Sequence, residues 1–163
     1  MLPKKPRADG QISGLAGEFF VAAELLKRDI QTSVTFGNAK AIDLLAYNPR
    51  SNRHFSVQVK ALRSRNNYWL ISPSDIRQEQ VYVFVVLNKP GEAVQYFVVP
   101  GSVLAEQPGR FGKAFQDPKL PGIHPKSLVD FEGAWQHFET PSSVDIEFAE
   151  RAPHSRSRSP SVG

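Results

Sequence analysis

Two short strand-like runs on either side of a turn-forming cluster dominate the hydrophobic pattern. Residues 41–47 read Ala-Ile-Asp-Leu-Leu-Ala-Tyr and residues 55–60 read Phe-Ser-Val-Gln-Val-Lys, with Asn48, Pro49, Ser51 and Asn52 between them. Runs of this kind flanking Pro, Asn and Ser predict a β-hairpin. Alternation places Phe55, Val57 and Val59 on one face of the second strand and Ser56, Gln58 and Lys60 on the other. A turn centred between Arg50 and Ser51 puts Asp43 across from Gln58; a centre one residue later puts it across from Lys60. The register between these two would send Asp43 to the opposite face. Asp is depleted in strands, and a carboxylate set among Ile42, Leu44 and Leu45 costs several kcal/mol if it is buried without a partner. A lysine, a metal ion or both would offset that cost.

The rest of the pattern builds around the hairpin. Apolar positions Ile12, Leu15, Ala16, Phe19, Phe20, Ala22, Ala23 and Leu26 predict a helix over residues 12–28, with Ser13 as N-cap. Glu18 lies in line with Leu15, Ala22 and Leu25 on that helix, whereas Glu24 neighbours Lys27 and Arg28 as a surface acid does. Taken alone, Glu18 reads as a boundary residue whose carboxylate reaches water. A short strand is expected over 32–36, and a helix start at Ser72-Pro73-Ser74-Asp75. Residues 81–87, the most apolar run, predict a central strand buried on both faces; residues 95–99 predict a further strand stopped by Pro100. Beyond it the expectation is a short helix over 102–107 and an extended loop over 108–125. A helix over 130–138 should dock Phe131, Trp135 and Phe138 on the core. The fold class is therefore α/β, a mixed central sheet with flanking helices. The expected organisation is a basic arm over 1–10, one domain over 11–140 and a Ser/Arg/Pro tail over 141–163.

Composition narrows the function without choosing it. The chain's 163 residues suit one domain with a proper core. No cysteine is present, which excludes disulfides, thiolate zinc sites and thiol nucleophiles and fits a reducing compartment. With no apolar run long enough for a membrane span and no signal-peptide pattern, a cytoplasmic location is expected. The net charge of +4 allows a polyanionic partner, although part of it lies in Lys4, Lys5, Arg7, Arg151, Arg156 and Arg158 near the ends. His54, His124, His137 and His154 show no metal-ligand spacing.

If the helix brings Glu18 to Asp43, Gln58 and Lys60, two carboxylates and an amide oxygen offer hard oxygen ligands suited to magnesium with several waters retained. A lysine beside them can position a water or stabilise charge on a phosphoryl oxygen, a set of parts that suits phosphodiester hydrolysis.

A helix glutamate, then Ile42-Asp43-Leu44-Leu45, then Val57-Gln58-Val59-Lys60 opening into a basic loop resembles the PD-(D/E)XK nuclease superfamily. The resemblance is nearest to its Holliday-junction resolvases and to the intron-encoded homing endonucleases that carry glutamine in the motif, and covers residues 14–62. It implies a restriction-endonuclease-like core, with Asp43 as metal-binding aspartate, Lys60 as catalytic lysine, Gln58 in the slot usually held by Glu or Asp, and Glu18 as the helix acid. It also implies the Val59 carbonyl as a metal ligand, Mg2+ as cofactor with Mn2+ substituting, and DNA as partner. Ile42 stands where the family name has proline and touches no ligand. Gln58 removes one negative charge, which weakens metal binding unless Glu18 compensates.

Lys40, Arg63, Arg65, Asn66 and Asn67 flank the expected site and are candidates for phosphate contacts, against the alternative of a solvated loop. Tyr68 and Trp69 are either core or stacking platforms for bases. Cleavage of two strands usually needs two active sites, so a homodimer or higher homo-oligomer is expected. The alternatives to a nuclease are a catalytically weak or inactive DNA-binding module of the same fold, and a protein-interaction domain.

Overall fold

The computed structural model describes residues 8–36 and 42–139. Lys40, Ala41 and the tail from 141 onward lie outside the described residues, as does most of the N-terminal arm.

The chain opens with helix α1 (Ala8–Leu26), which starts four residues before Ile12. Asp29 ends it in the left-handed conformation (φ 60°), which Asp tolerates better than most residues, while Ile30 N–H closes back on the Leu25 carbonyl at 3.1 Å. Strands β1 (Gln31–Val34), β2 (Leu44–Asn48), β3 (Arg53–Leu62), β5 (Gln80–Val86) and β6 (Gln95–Pro100) form one sheet in the order β1-β2-β3-β5-β6. All neighbours in it are antiparallel except β3 and β5, which run parallel. A parallel pair needs a long crossover. Residues 63–79 supply it, carrying β4 (Trp69–Leu70) and a 3-10 turn (Pro73–Asp75) capped by Ser72. The restriction of φ at Pro49 and a left-handed Asn52 (φ 53°) shape the β2–β3 turn. Within it, Asn48 Oδ1 accepts Arg50 N–H at 2.9 Å. The mixed α/β sheet expected from the sequence is thus present.

Every residue of β5 is buried, because both faces of the sheet are covered there. On one side Val21, Ala22 and Leu25 of α1 pack with Leu44, Val57, Val83, Val98 and Phe138. On the other, Tyr82, Phe84, Phe97 and Val99 pack with Trp69, Phe111, Phe115, Ile123 and Leu128.

Four expectations need correction. Ser13 is no cap: it is buried inside α1, five residues past the first. Of the apolar positions that predict the helix, Ala22 is buried but Ile12, Leu15, Phe19, Phe20 and Leu26 are exposed, while Ser13, Gly17, Val21 and Leu25 are buried with Ala22. The helix carries two apolar faces, and the one with small residues can approach the sheet more closely. A Cβ added at Gly17 would stand 2.7 Å from Ala61 Cβ, so only glycine fits at that crossing. Residues 108–125 are not an extended loop. After helix α2 (Gly101–Glu106) they fold into two 3-10 turns (Pro108–Phe111 and Lys113–Gln116) and strand β7 (Gly122–Ile123), which pairs with β4. Phe111, Phe115 and Ile123 are buried anchors of the second core. Residues 130–138 form no α-helix: Phe131 ends one 3-10 helix (Pro125–Phe131), and Trp135 and Phe138 lie in another (Trp135–Phe138). Their aromatics are buried as expected, but Phe131 covers one side of the sheet and Trp135 and Phe138 the other. The intervening Gly133 (φ 64°) lets the chain change sides.

Candidate active site

Pairing of Leu44 with Val57 fixes the hairpin register, and continuing it by one residue sets Asp43 across from Gln58. This is the first of the two registers that place Asp43 on the face of Gln58 and Lys60. Asp43 sits just ahead of β2, where its own N–H still bonds the Val57 carbonyl at 2.9 Å. Its carboxylate replaces main chain in the next bond: Oδ2 accepts Val59 N–H at 2.7 Å. The segment is braced from the far side by Thr35, whose N–H bonds the Asp43 carbonyl at 2.9 Å and whose Oγ1 donates to the Ile42 carbonyl at 2.6 Å.

Burial raises the Asp43 carboxyl from its ordinary value; the Val59 N–H, the nearby Lys60 ammonium and a hydrogen bond from the Gln58 side chain oppose that rise without cancelling it. Burial also raises Glu18, and the negative charge of Asp43 adds to the effect. Glu18 of α1 and Asp43 of the hairpin are therefore close enough to repel one another. Asp43 thus neighbours Val59, Lys60 and Gln58 of β3, and it also lies within electrostatic reach of Glu18 on α1. Glu18 and Lys60 are both half-buried.

Among the described residues no three His, Cys, Asp or Glu side chains cluster. The anionic ligands on offer are two, Glu18 and Asp43, and any others must be neutral: the Gln58 amide oxygen, the Val59 carbonyl and water. That donor set fits a hard divalent ion that keeps several waters. Two carboxyls made costly to ionise by burial, Glu18 further by the charge of Asp43, are also what a cation would stabilise.

Arg63, Arg65, Asn66 and Asn67 are exposed on the loop that follows β3, three to seven residues past Lys60. Lys40 lies outside the described residues. Trp69 is not a base platform: it is buried, edge-on to Phe84 at 5.1 Å between ring centres. Tyr68 is half-buried against His124 and Gly122.

Sequence reasoning missed Thr35 and Gly17. Gly17 was legible in principle, because two glycines (Gly14 and Gly17) inside the helix expected over residues 12–28 are costly unless packing requires one. Thr35 left no such mark.

No protein-family model matches this sequence, and no curated protein matches it. Solved structures do. The bacterial homing endonuclease I-Ssp6803I is 15% identical at a TM-score of 0.55, covering 87% of this chain and 97% of that one. Hjc, a Holliday junction resolvase from the archaeal hyperthermophile Archaeoglobus fulgidus, is 15% identical at a TM-score of 0.46, over 71% of this chain and 86% of its own. The likeness to the homing endonuclease extends to the fold: the mixed five-stranded sheet with its flanking helices is restriction-endonuclease-like.

Proposed function

We propose that this restriction-endonuclease-like domain is a metal-dependent endonuclease that hydrolyses DNA phosphodiester bonds. The observation that carries the reading is the meeting of Glu18 and Asp43, two carboxyls raised by burial, beside the Lys60 ammonium.

In this reading Glu18, Asp43, the Gln58 amide oxygen and the Val59 carbonyl hold Mg2+, with Mn2+ able to substitute. When bound, the ion supplies Lewis acidity and a water of lowered pKa. Asp43 is held in place for this by the Val59 N–H and, through its own backbone, by Thr35. Lys60 stabilises negative charge developing on the scissile phosphoryl group. Arg63, Arg65, Asn66 and Asn67, with Lys40 before the hairpin, bind flanking phosphates, which gives affinity without sequence information. Cleavage of both strands would call for two such sites, hence a homodimer or a higher homo-oligomer.

One observation favours a second reading. The Gln58 side chain hydrogen-bonds the Asp43 carboxyl, a neutral partner that the acid has without any metal. A catalytically silent DNA-binding module would keep such an arrangement. A protein-interaction domain is the third possibility. Incubation of plasmid, linear duplex and four-way-junction DNA with Mg2+, beside Lys60→Ala, separates them. The nuclease reading expects cleavage by the wild type and at least ~100-fold less by Lys60→Ala. A salt-sensitive gel shift without cleavage selects the second reading, and absence of DNA affinity the third.

A further inference from the structure

Helix α1 presents to solvent a stripe that its own sheet does not use. Ile12, Leu15, Phe19 and Leu26 recur at helical spacing, with Phe20 beside them, and each keeps between 44% and 58% of its surface exposed. Their direction is roughly opposite to that of Gly17, Val21 and Leu25, which face the sheet. Ala23, exposed, and Ala16, half-buried, sit between the large side chains and leave shallow gaps on either side of Phe19.

We infer that this stripe pairs with the same stripe of a second copy of the chain, α1 against α1, antiparallel about Phe19. Three observations choose this occupant. Ile12 and Leu26 stand seven residues before and after Phe19, so a two-fold axis through Phe19 sets Ile12 of one copy on Leu26 of the other. The same axis brings the two Phe19 side chains together and sets each Leu15 on the small Ala23 of the other copy, large against small. The stripe itself carries no charge, and its rim acid Glu24 is already paired with Arg28 (2.6 Å) and Lys27 (3.3 Å), which leaves a polyanion nothing to bind there. In a parallel pair the Lys27–Arg28 ends would lie together and repel; the antiparallel pair separates them and opposes the helix dipoles. The third observation is size. A fully covered aromatic side chain hides about 150–250 Å2, so five half-exposed residues offer on the order of 500 Å2 per copy. That exceeds what isolated surface apolar residues amount to and approaches the roughly 800 Å2 per partner of a standard interface.

The test uses sedimentation equilibrium of the full chain from 1 to 100 µM, with Phe19→Glu and Leu26→Glu compared by thermal melting. The expected result is a wild-type dimer whose dissociation constant rises about 30-fold or more in each variant, with melting temperatures that agree when all three proteins are compared at a concentration where each is monomeric. Because the chain has no cysteine, mixing Ile12→Cys with Leu26→Cys under oxidation should yield the mixed covalent dimer in preference to either like pair. A monomeric wild type at 100 µM overturns the proposal, as do charged variants that stay dimeric or like-pair disulfides that predominate. Flotation of the monomeric wild type with phosphatidylglycerol vesicles, lost in Phe19→Glu, would also overturn it and assign the stripe to a lipid surface.

Discussion

The Asp43 carboxylate accepts the main-chain N–H of Val59 at 2.7 Å, so a side chain just ahead of β2 stands in for the main chain in pairing with β3. The acid is thereby oriented by the sheet itself, and it is held in a place where burial makes its charge costly.

The pH dependence follows from that cost. Burial raises both Asp43 and Glu18, so the folded chain holds these protons more tightly than the unfolded chain does. Their ionisation therefore subtracts stability as pH climbs through the ordinary carboxylate range towards the folded values, and the loss is complete above them. Asp43→Asn and Glu18→Gln should each melt higher than wild type at pH 7 in the presence of EDTA, with the difference vanishing below roughly pH 4. Melting curves that fall at pH 7 in both variants would contradict the placement.

Divalent ions should reverse the ranking. Mg2+ at millimolar concentration should raise the wild-type melting temperature and leave Asp43→Asn nearly unmoved, since binding to the native state alone stabilises it by mass action. Equal shifts in the two proteins would mean that the ion binds elsewhere.

Gln58→Glu places a third carboxylate beside Asp43, where the wild-type amide donates a hydrogen bond. Without metal the variant should melt lower than wild type. With Mg2+ its gain should be larger than the wild type's, because the added charge binds the ion more tightly. Calorimetric titration with Mg2+ checks the second half directly.

Gly17 sets how closely α1 lies on β3. A methyl group there would meet Ala61 Cβ at 2.7 Å and Val59 Cγ1 at 3.4 Å. Gly17→Ala should cost about 1–3 kcal/mol by overpacking and lift Glu18 away from Asp43. Combining it with Ala61→Gly should recover part of both the stability and the activity, a coupling that a double-mutant cycle measures.

Trp69→Ala should cost about 3–5 kcal/mol, because the indole is buried against Phe84 and Phe97. DNA affinity per folded molecule should stay within a few-fold of wild type. A large loss of affinity at unchanged stability would return Trp69 to a binding role.

The hairpin and the buried strand were legible because period-two alternation and a continuous apolar run report burial directly: Val57 and Val59 face the core, and β5 is buried throughout. The register was narrowed to alternatives, and only the Leu44–Val57 pairing chose between them. Helix α1 misled because Ile12, Leu15 and Phe19 outweigh Ser13 and Gly17 on any hydrophobic scale, yet the small residues are the ones that meet the sheet. Residues 108–125 misled for a different reason. Their Pro and Gly break regular elements without preventing compaction, and Phe111, Phe115 and Ile123 bury themselves through short 3-10 turns that carry no periodic signal.

Asn48 donates from Nδ2 to the Phe138 carbonyl at 2.8 Å, tying the last described turn to the rim where β2 meets β3. Arg50 reaches the Arg28 carbonyl at 3.3 Å from the same rim, so the far end of α1 lies there too. Asp43 is five residues back along the strand, about 17 Å away. At the level of Gly17, α1 crosses Ala61, and its first turns run on beyond that point for about 13 Å. Ala8 and Glu139, the outer ends of the described residues, consequently lie at opposite poles of the sheet. An affinity tag or fluorophore joined after Glu139 would begin its path remote from the acids, whereas one joined before Ala8 would begin on their side.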